Sequence, residues 1–369
     1  MRVLIASDKF KGSLTATQVC EAISQGVLAA VPHAHCELLP LADGGEGTLN
    51  VLTELLGLQV KKVTVLDPLF REITACYGTK GEDAYVEMAR ASGFELLDDH
   101  ERSAMLTTSK GTGQLIKDAI ENGAKRIFLF VGGSATNDGG IGVASALGFR
   151  FFDKDGIKLS PVGANLSSIE SIETEGFPEH VKIQLITDVK NPLLGPNGAA
   201  HQYGPQKGAT AEEVLHLDHG LEHLAKVIQN QFSRDISGLS GSGAAGGLAL
   251  SILGLMNGTI ESGIETILKL VGFDDRLKSV DLVITGEGKI DGQTLQGKVV
   301  YGVAHEARKN SVPAVAVCGD NLLTVNQISS LKLKEVLALK NEDLSVEYCL
   351  QNAADLIRLR VYDFLKGSS

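Results

Sequence analysis

Several apolar runs of this sequence end in short loops where charged residues stand among glycines. Residues 7–13 (SDKFKGS) carry two lysines two positions apart, together with an acid and hydroxyls. Residues 43–47 (DGGEG) place two carboxylates among three glycines. Lysine ammonium groups bind carboxylate or phosphate oxygens as point charges, and carboxylates hold Mg²⁺ or activate a hydroxyl. Both loops are therefore candidates for substrate binding, although an exposed loop or an acidic helix start contains the same residue types.

Three further glycine loops extend this pattern. Residues 132–140 (GGSATNDGG) follow an apolar run and precede a helix-like segment, an arrangement whose free N–H groups suit an anion. Residues 285–292 (TGEGKIDG) contain two acids that are metal or base candidates, with Lys298 close behind. Residues 241–247 (GSGAAGG) are either a second phosphate cradle or a close helix contact, and the sequence favours neither. Residues 187–193 (TDVKNPL) place another acid at a predicted strand end.

Other nucleotide-binding and metal-binding patterns are absent. No GxxxxGK[ST] motif occurs, and no GxGxxG motif follows the first apolar run, which argues against a P-loop ATPase and an ordinary NAD-binding domain. The series His216, His219 and His223 lies in a polar segment without a nearby cysteine. We interpret it as one face of a solvated helix.

Composition limits the class of protein. The chain has 369 residues and a net charge of −11, which argues against nucleic-acid and membrane-surface partners. Its five cysteines are dispersed without a CxxC pair, as is typical of reduced cytoplasmic proteins. No apolar run is long enough to span a bilayer. We expect a cytoplasmic protein with a small-molecule substrate, and the sequence does not indicate its oligomeric state.

The order of apolar runs predicts the elements that must position these loops. Alternating strands and helices at both ends of the chain predict a parallel sheet, whereas the middle contains predicted hairpins. The predicted strands of the first group are 3–6, 38–41, 282–284, 314–317 and 336–339; the predicted hairpins are 73–77 with 84–88 and 149–152 with 157–159; one long helix is predicted over 346–365.

These elements predict an α/β protein. Residues 1–66 and 258–369 would form a discontinuous Rossmann-like domain with a parallel sheet, and residues 67–257 an inserted mixed α/β domain. The active site would lie in the crevice between them.

Taken together and in this order, the motifs resemble bacterial type I glycerate kinases. The resemblance runs from Met1 to the C-terminal helix and is carried by residues 7–13, 42–48, 132–140 and 284–291. It implies a transferase that uses ATP and Mg²⁺ to phosphorylate D-glycerate, on the 2-hydroxyl, giving 2-phosphoglycerate and ADP. A kinase of another small polyol or hydroxy acid, and a metabolite sensor without catalysis, remain the alternatives.

The resemblance also implies site residues, which we assign by motif position. The catalytic candidates are Lys9, Asp43 and Asp188, of which either aspartate would deprotonate or orient the acceptor hydroxyl. The substrate-binding candidates are Lys9, Lys11, Ser13, Asp43, Gly44, Gly45 and Glu46. The nucleotide-binding candidates are Gly132, Gly133, Ser134, Thr136, Asn137, Asp138, Gly286, Glu287 and Gly288. The candidate Mg²⁺ ligands are Glu287 and Asp291, which also compete for the role of base.

Overall fold

A computed structural model describes residues 1–256 and 258–367 of the chain, without the side chain of Gln296. Asn257, Ser368 and Ser369, which fall at the ends of the predicted domains, lie outside the described residues. The strands are β1 (Arg2–Ser7), β2 (His35–Leu38), β3 (Gln59–Leu66), β4 (Glu72–Lys80), β5 (Asp83–Glu87), β6 (Arg126–Phe130), β7 (Arg150–Phe152), β8 (Ser171–Glu173), β9 (Lys182–Ile186), β10 (Thr259–Glu261), β11 (Leu282–Ile290), β12 (Ala314–Asn321) and β13 (Glu335–Ala338). The helices are α1 (Ala16–Ala30), α2 (Thr48–Leu56), α3 (Ala89–Ser92), α4 (Lys110–Glu121), α5 (Ile141–Ala146), α6 (Ala199–Tyr203), α7 (Ala211–Phe232), α8 (Ala249–Gly254), α9 (Gly263–Leu270), α10 (Phe273–Leu277), α11 (Val299–Lys309), α12 (Val325–Leu331), α13 (Val346–Gln351) and α14 (Ala353–Lys366).

The first of two compact units combines residues 1–43 with the described residues from 262 onwards. Its sheet has the order β13-β12-β11-β1-β2, and every neighbouring pair is parallel, as the alternation of strands and helices predicts. Buried aliphatic side chains of β1, β11 and β12 pack on α1 and α14. A capping box at Thr15 begins α1. The carboxyl ends of these parallel strands are where a ligand is expected.

The second unit comprises residues 44–261. Its main sheet has the order β10-β9-β6-β5-β4-β3, with parallel pairing from β10 to β5 and antiparallel pairing from β5 to β3. The predicted hairpin over 73–77 and 84–88 is therefore correct, and it appears as β4 and β5. A large apolar core, to which β6, β9, α4 and α7 contribute, fills this unit.

The first division between the units lies at 43/44, not at the predicted 66/67. The reason is the pairing of β3, which runs antiparallel to β4 from Gln59 opposite Thr79 to Leu66 opposite Glu72. This ladder attaches the segment after Asp43 to the second sheet. The second division lies at 261/262, because β10 pairs with β9.

Four other predictions need correction. β11 continues to Ile290, so residues 285–290 are strand and not loop. β2 ends at Leu38, and residues 39–41 follow it as irregular chain. β7 pairs with β8 as a strand, and the predicted partner 157–159 contacts it through the antiparallel bridge between Phe152 and Lys158 and a hydrogen bond from the Leu159 N–H to the carbonyl of Phe151 at 2.8 Å. The C-terminal helical segment is divided at Asn352 into α13 and α14.

No helix in residues 1–256 or 258–367 has both the length and the apolar character needed to cross a bilayer.

Candidate active site

In the first unit, β1 and β11 bring two of the polar motifs together. Their parallel register places Ser7 opposite Gly286, so that Asp8 emerges beside Glu287. The N–H of Asp8 donates to the carbonyl of Gly286 at 2.9 Å, and the Ser7 hydroxyl donates to the same carbonyl at 3.1 Å. These contacts fix the start of the 7–13 loop on β11.

Three carboxyl groups lie close enough to interact electrostatically at this edge of the sheet. Burial is the largest cause of a rise in the pKa of Asp8 to about 8, and the neighbouring charges of Asp43 and Glu287 add to it. The N–H of Lys9, which donates to Asp8 Oδ1 at 2.7 Å, acts in the opposite direction. A site with mutually repelling carboxylates and a nearby lysine is suited to a cation or to proton transfer. Of these acids, Asp43 and Glu287 are predicted site residues, and Asp8 was not singled out.

Glu287 is deeply buried, with 4% of its surface exposed. Burial raises its pKa to about 7, and the charges of Asp291 and Asp43 contribute in the same direction. The Thr294 hydroxyl donates to the Glu287 carboxylate, and the N–H of Asp291 donates to the Thr294 oxygen at 3.0 Å. The turn after β11 therefore connects both candidate metal ligands through one threonine.

The two glycines around Glu287 serve strand packing. A Cβ at Gly286 would lie 2.7 Å from the carbonyl oxygen of Val317 and 2.8 Å from Ser7 Oγ. A Cβ at Gly288 would lie 3.2 Å from the backbone nitrogen of Lys11. Both belong to β11, and their lack of a side chain lets the 7–13 loop lie close on that strand.

The other residues of the 7–13 loop have different surroundings. Lys9 is half-buried beside the acids, whereas Lys11 is exposed. The Ser13 hydroxyl donates to the carbonyl of Leu350 at 2.6 Å, which attaches the loop to α13. A substrate would therefore meet Lys9 next to the carboxyl groups.

In the second unit, the chain at 44–48 is held by a residue that sequence reasoning missed. Glu87, at the end of β5, is completely buried, and its carboxylate accepts hydrogen bonds from the N–H groups of Gly47 at 3.0 Å and Leu49 at 3.1 Å. Arg90 Nε lies 3.7 Å from Glu87 Oε2. A single glutamate at the end of an apolar strand gives no motif, although a buried acid there requires such partners. Within this segment Gly44 is buried, Gly45 half-buried and Glu46 exposed.

The loop of residues 131–140 is organised around Asp138. Its completely buried carboxylate accepts from the N–H and hydroxyl of Ser109, both at 2.8 Å, and from the N–H groups of Gly140 at 3.1 Å and Gly142 at 3.2 Å. Burial raises the pKa of Asp138, and the four hydrogen bonds oppose that rise. Asp138 thus joins the loop to the starts of α4 and α5.

The same loop carries other buried polar groups and an exposed tip. Thr136 and Asn137 are completely buried, whereas Gly132 is half-buried and Gly133 is exposed. A Cβ at Gly132 would lie 2.5 Å from the Cα of Gly45, so the two glycine motifs of this unit touch. Lys207, a residue that the sequence does not indicate, donates to Ser134 and to Thr136 of this loop.

The glycines of 241–247 are packing residues. A Cβ at Gly243 would lie 2.2 Å from the carbonyl oxygen of Pro192, and one at Gly246 would lie 2.2 Å from that of Thr136. This segment therefore holds the 187–193 and 131–140 loops together, in agreement with the packing alternative. Asp188, two residues beyond β9, is half-buried.

Two of the three histidines of α7 bind backbone. His216 Nε2 lies 3.1 Å from the carbonyl oxygen of Ala164, and His223 Nε2 lies 2.6 Å from that of Ile169. Their interpretation as a solvated face is thus wrong for these two positions. Throughout residues 1–256 and 258–367, no group of three or more His, Cys, Asp or Glu side chains is arranged to hold a metal ion.

Comparisons with known proteins agree on one family. Residues 3–366 match the model of the glycerate kinase family. A glycerate kinase from Bacillus cereus is 38% identical over 97% of this chain and 96% of its own length. A glycerate 2-kinase from Escherichia coli K12 is 39% identical over 86% of this chain and 85% of its own length. A crystal structure from Salmonella typhimurium LT2 that carries the name glycerate kinase 2 has a TM-score of 0.87 and 37% identity, and covers 100% of this chain and 98% of that one.

Proposed function

The chain belongs to the glycerate kinase family, and from this premise we propose that it transfers the γ-phosphoryl group of ATP to the 2-hydroxyl of D-glycerate. The products are 2-phosphoglycerate, ADP and the proton of the hydroxyl. The observation that carries this proposal is the family match over nearly the whole chain, together with a relative named for 2-phosphorylation. The carboxyl groups beside Lys9 and the anchored glycine loop are consistent with it.

On this proposal, the two units contribute different groups. In the first, Lys9 and Lys11 would bind the carboxylate of glycerate or the transferred phosphoryl group. In the second, backbone N–H groups at 132–134 and the Ser134 hydroxyl would bind phosphate oxygens of the nucleotide. The same proposal includes the domain organisation, in which a mixed domain is inserted into a discontinuous Rossmann-like domain.

Asp43 is proposed as the acid that accepts the proton of the acceptor hydroxyl, with Asp188 as the competing candidate. Asp43 is half-buried next to Asp8 and Glu287, whose charges interact with it. Asp188 has a comparable position at the end of β9 in the other unit.

Glu287 and Asp291 are proposed to hold Mg²⁺. Two carboxylates that repel one another suit a hard cation, and in kinases the substrate phosphates and water complete the coordination. Two protein carboxylates are therefore enough for Mg²⁺, whereas a metal ion that takes all its ligands from the protein would need more. When bound, Mg²⁺ neutralises charge on the phosphate oxygens.

The direct test is ADP release with MgATP and D-glycerate, with the product identified by ³¹P and ¹H NMR. We expect 2-phosphoglycerate. The 3-phosphate would overturn the regiochemistry alone, and turnover only with another polyol would move the substrate assignment within the family.

The proposed base is tested by replacing each aspartate with asparagine. We expect Asp43→Asn to lower kcat by about 10²–10⁴-fold, the usual contribution of a general base. Asp99→Asn serves as control, because the Asp99 side chain is 90% exposed. If Asp43→Asn keeps full activity while Asp188→Asn loses it, the base is Asp188.

A further inference from the structure

Lys207 is a buried cation with no part in the function proposed above. It ends the helical turn Pro205–Lys207 in the second unit and is only 2% exposed. Its Nζ donates to Ser134 Oγ at 3.0 Å and to the carbonyl oxygen of Thr136 at 2.6 Å. A buried ammonium group is unfavourable unless it is well paired, so these contacts must be strong enough to keep it inside. Burial lowers its pKa to about 7, against the attraction of Asp138.

The contact with Lys207 determines what the Ser134 hydroxyl can do. In its charged form Lys207 has donors only, so the Ser134 oxygen is then the acceptor. Its single hydrogen is then directed away from Lys207, and among the described residues no acceptor receives it. Ser134 is 6% exposed and follows the exposed Gly133.

The rest of the loop is held partly by backbone contacts: the Ala135 N–H donates to the carbonyl of Ser92 at 2.9 Å, and the Phe94 N–H donates to the carbonyl of Gly133 at 3.0 Å. Thr136 Oγ1 and both polar atoms of the Asn137 side chain are buried without a hydrogen-bond partner in the described structure. Buried polar groups are ordinarily paired, but these are not. Their side chains therefore contribute no hydrogen bond that holds the loop in place. Asp138 adds four hydrogen bonds to the backbone contacts, and Lys207 adds the two to Ser134 and Thr136.

We propose that Lys207 is a positioning residue that fixes residues 134–136 and makes the Ser134 hydroxyl a hydrogen-bond donor to a phosphate oxygen of the nucleotide. This inference rests on the proposed function, because it takes the 132–138 loop as the nucleotide site. Lys207 itself acts through Ser134.

The experiment compares Lys207→Met, Lys207→Arg, Ser134→Ala and the double variant Lys207→Met/Ser134→Ala with the wild type. Lys117→Met is the matched control, because the Lys117 side chain is 56% exposed on α4. ADP affinity is measured by calorimetry, kcat and both KM values by coupled assay, and Tm by thermal unfolding. We expect Lys207→Met and Ser134→Ala each to weaken ADP binding and raise the KM for ATP about tenfold, as for one lost hydrogen bond to a charged group. The KM for glycerate should stay unchanged.

Two further results support the role of Lys207 through Ser134. The double variant should bind ADP no more weakly than Lys207→Met alone. Without Lys207 the Ser134 hydroxyl no longer points at the phosphate, so removing this hydroxyl costs no further affinity. Lys207→Arg, which keeps the charge and the donors, should recover part of the affinity.

The proposal is wrong if Ser134→Ala binds ADP like the wild type, an outcome that does not depend on whether Lys207→Met folds. It is also wrong if Lys207→Met lowers only the Tm and leaves ADP affinity unchanged. A wild type that binds ADP but does not phosphorylate glycerate, with the variants still weakened, would refute the proposed function and leave the role of Lys207 standing.

Discussion

Replacing Glu87 with glutamine tests whether a buried carboxylate holds the glycine segment at 44–48. The substitution preserves shape and removes the charge. One oxygen remains to accept from Gly47 or Leu49, while the new NH₂ group faces the other N–H, so that two donors oppose each other. The complete burial of Glu87 prevents water from replacing the lost partner.

The expected cost follows from these two hydrogen bonds. A bond to a charged acceptor contributes about 1.5–3 kcal/mol, and a neutral one about 1 kcal/mol. Losing one bond and weakening the other therefore lowers the free energy of unfolding by about 3 kcal/mol. For a unit of roughly 200 residues this corresponds to a fall in Tm of about 6–12 °C.

Calorimetry measures the effect, with Glu121→Gln as the matched control. The Glu121 side chain is 62% exposed, and its Oε1 lies 3.8 Å from Lys117 Nζ. Its replacement should therefore lower the free energy of unfolding by less than about 0.5 kcal/mol. We also expect Glu87→Gln to lower kcat, because the segment that it releases begins directly after Asp43. Equal melting of the two variants would show that Glu87 does not hold this segment.

Three further changes follow from burial and close packing. Between about pH 4 and pH 8, the folded state keeps a proton on Asp8 that the unfolded chain releases. The free energy of unfolding should therefore fall as the pH rises through this window. Asp8→Asn should make that fall smaller in urea titrations. Gly246→Ala should lower stability by several kcal/mol in the same titrations, since φ is +69° and the new methyl group would lie 2.2 Å from the carbonyl oxygen of Thr136; unchanged stability would contradict this packing. Burial raises the pKa of the Cys20 and Cys318 thiols to about 12, so neither should react with a thiol reagent at pH 7 until the protein unfolds, and rapid labelling of the native protein would refute this.

The sequence predicts the parallel sheet of the first unit because its strands are continuous apolar runs. The capping box at Thr15 and the hairpin of β4 and β5 are also local patterns, and both are present. The true division at 43/44 depends on the pairing of β3 with β4, which periodicity does not reveal. The extension of β11 to Ile290 was missed because its glycines favour a loop, whereas the neighbouring strands require their small size.

The candidate site shows the same limit. Asp43, Glu287 and Lys9 stand out because each lies in a short polar motif after an apolar run. Glu87 and Lys207 stand alone in the sequence, and only folding shows that they are buried and bonded to the glycine motifs. Such residues are recognisable only as charged side chains that the tertiary structure encloses, and no local sequence pattern indicates this.

The glycine motifs of this chain combine two physical demands that look identical in a sequence. Gly246 is required because another backbone lies against it, whereas Gly133 is exposed, with φ of +74°, beside a serine whose hydroxyl hydrogen is unclaimed by any described acceptor. The first demand builds a rigid support and the second leaves a place for a ligand. A loop that must bind phosphate through its N–H groups needs both, because donors fixed in advance lose little entropy on binding. The buried charges of Asp138 and Lys207 contribute to that fixation together with the backbone bond between Ala135 and Ser92, which explains why groups that touch no substrate belong to the proposed nucleotide site.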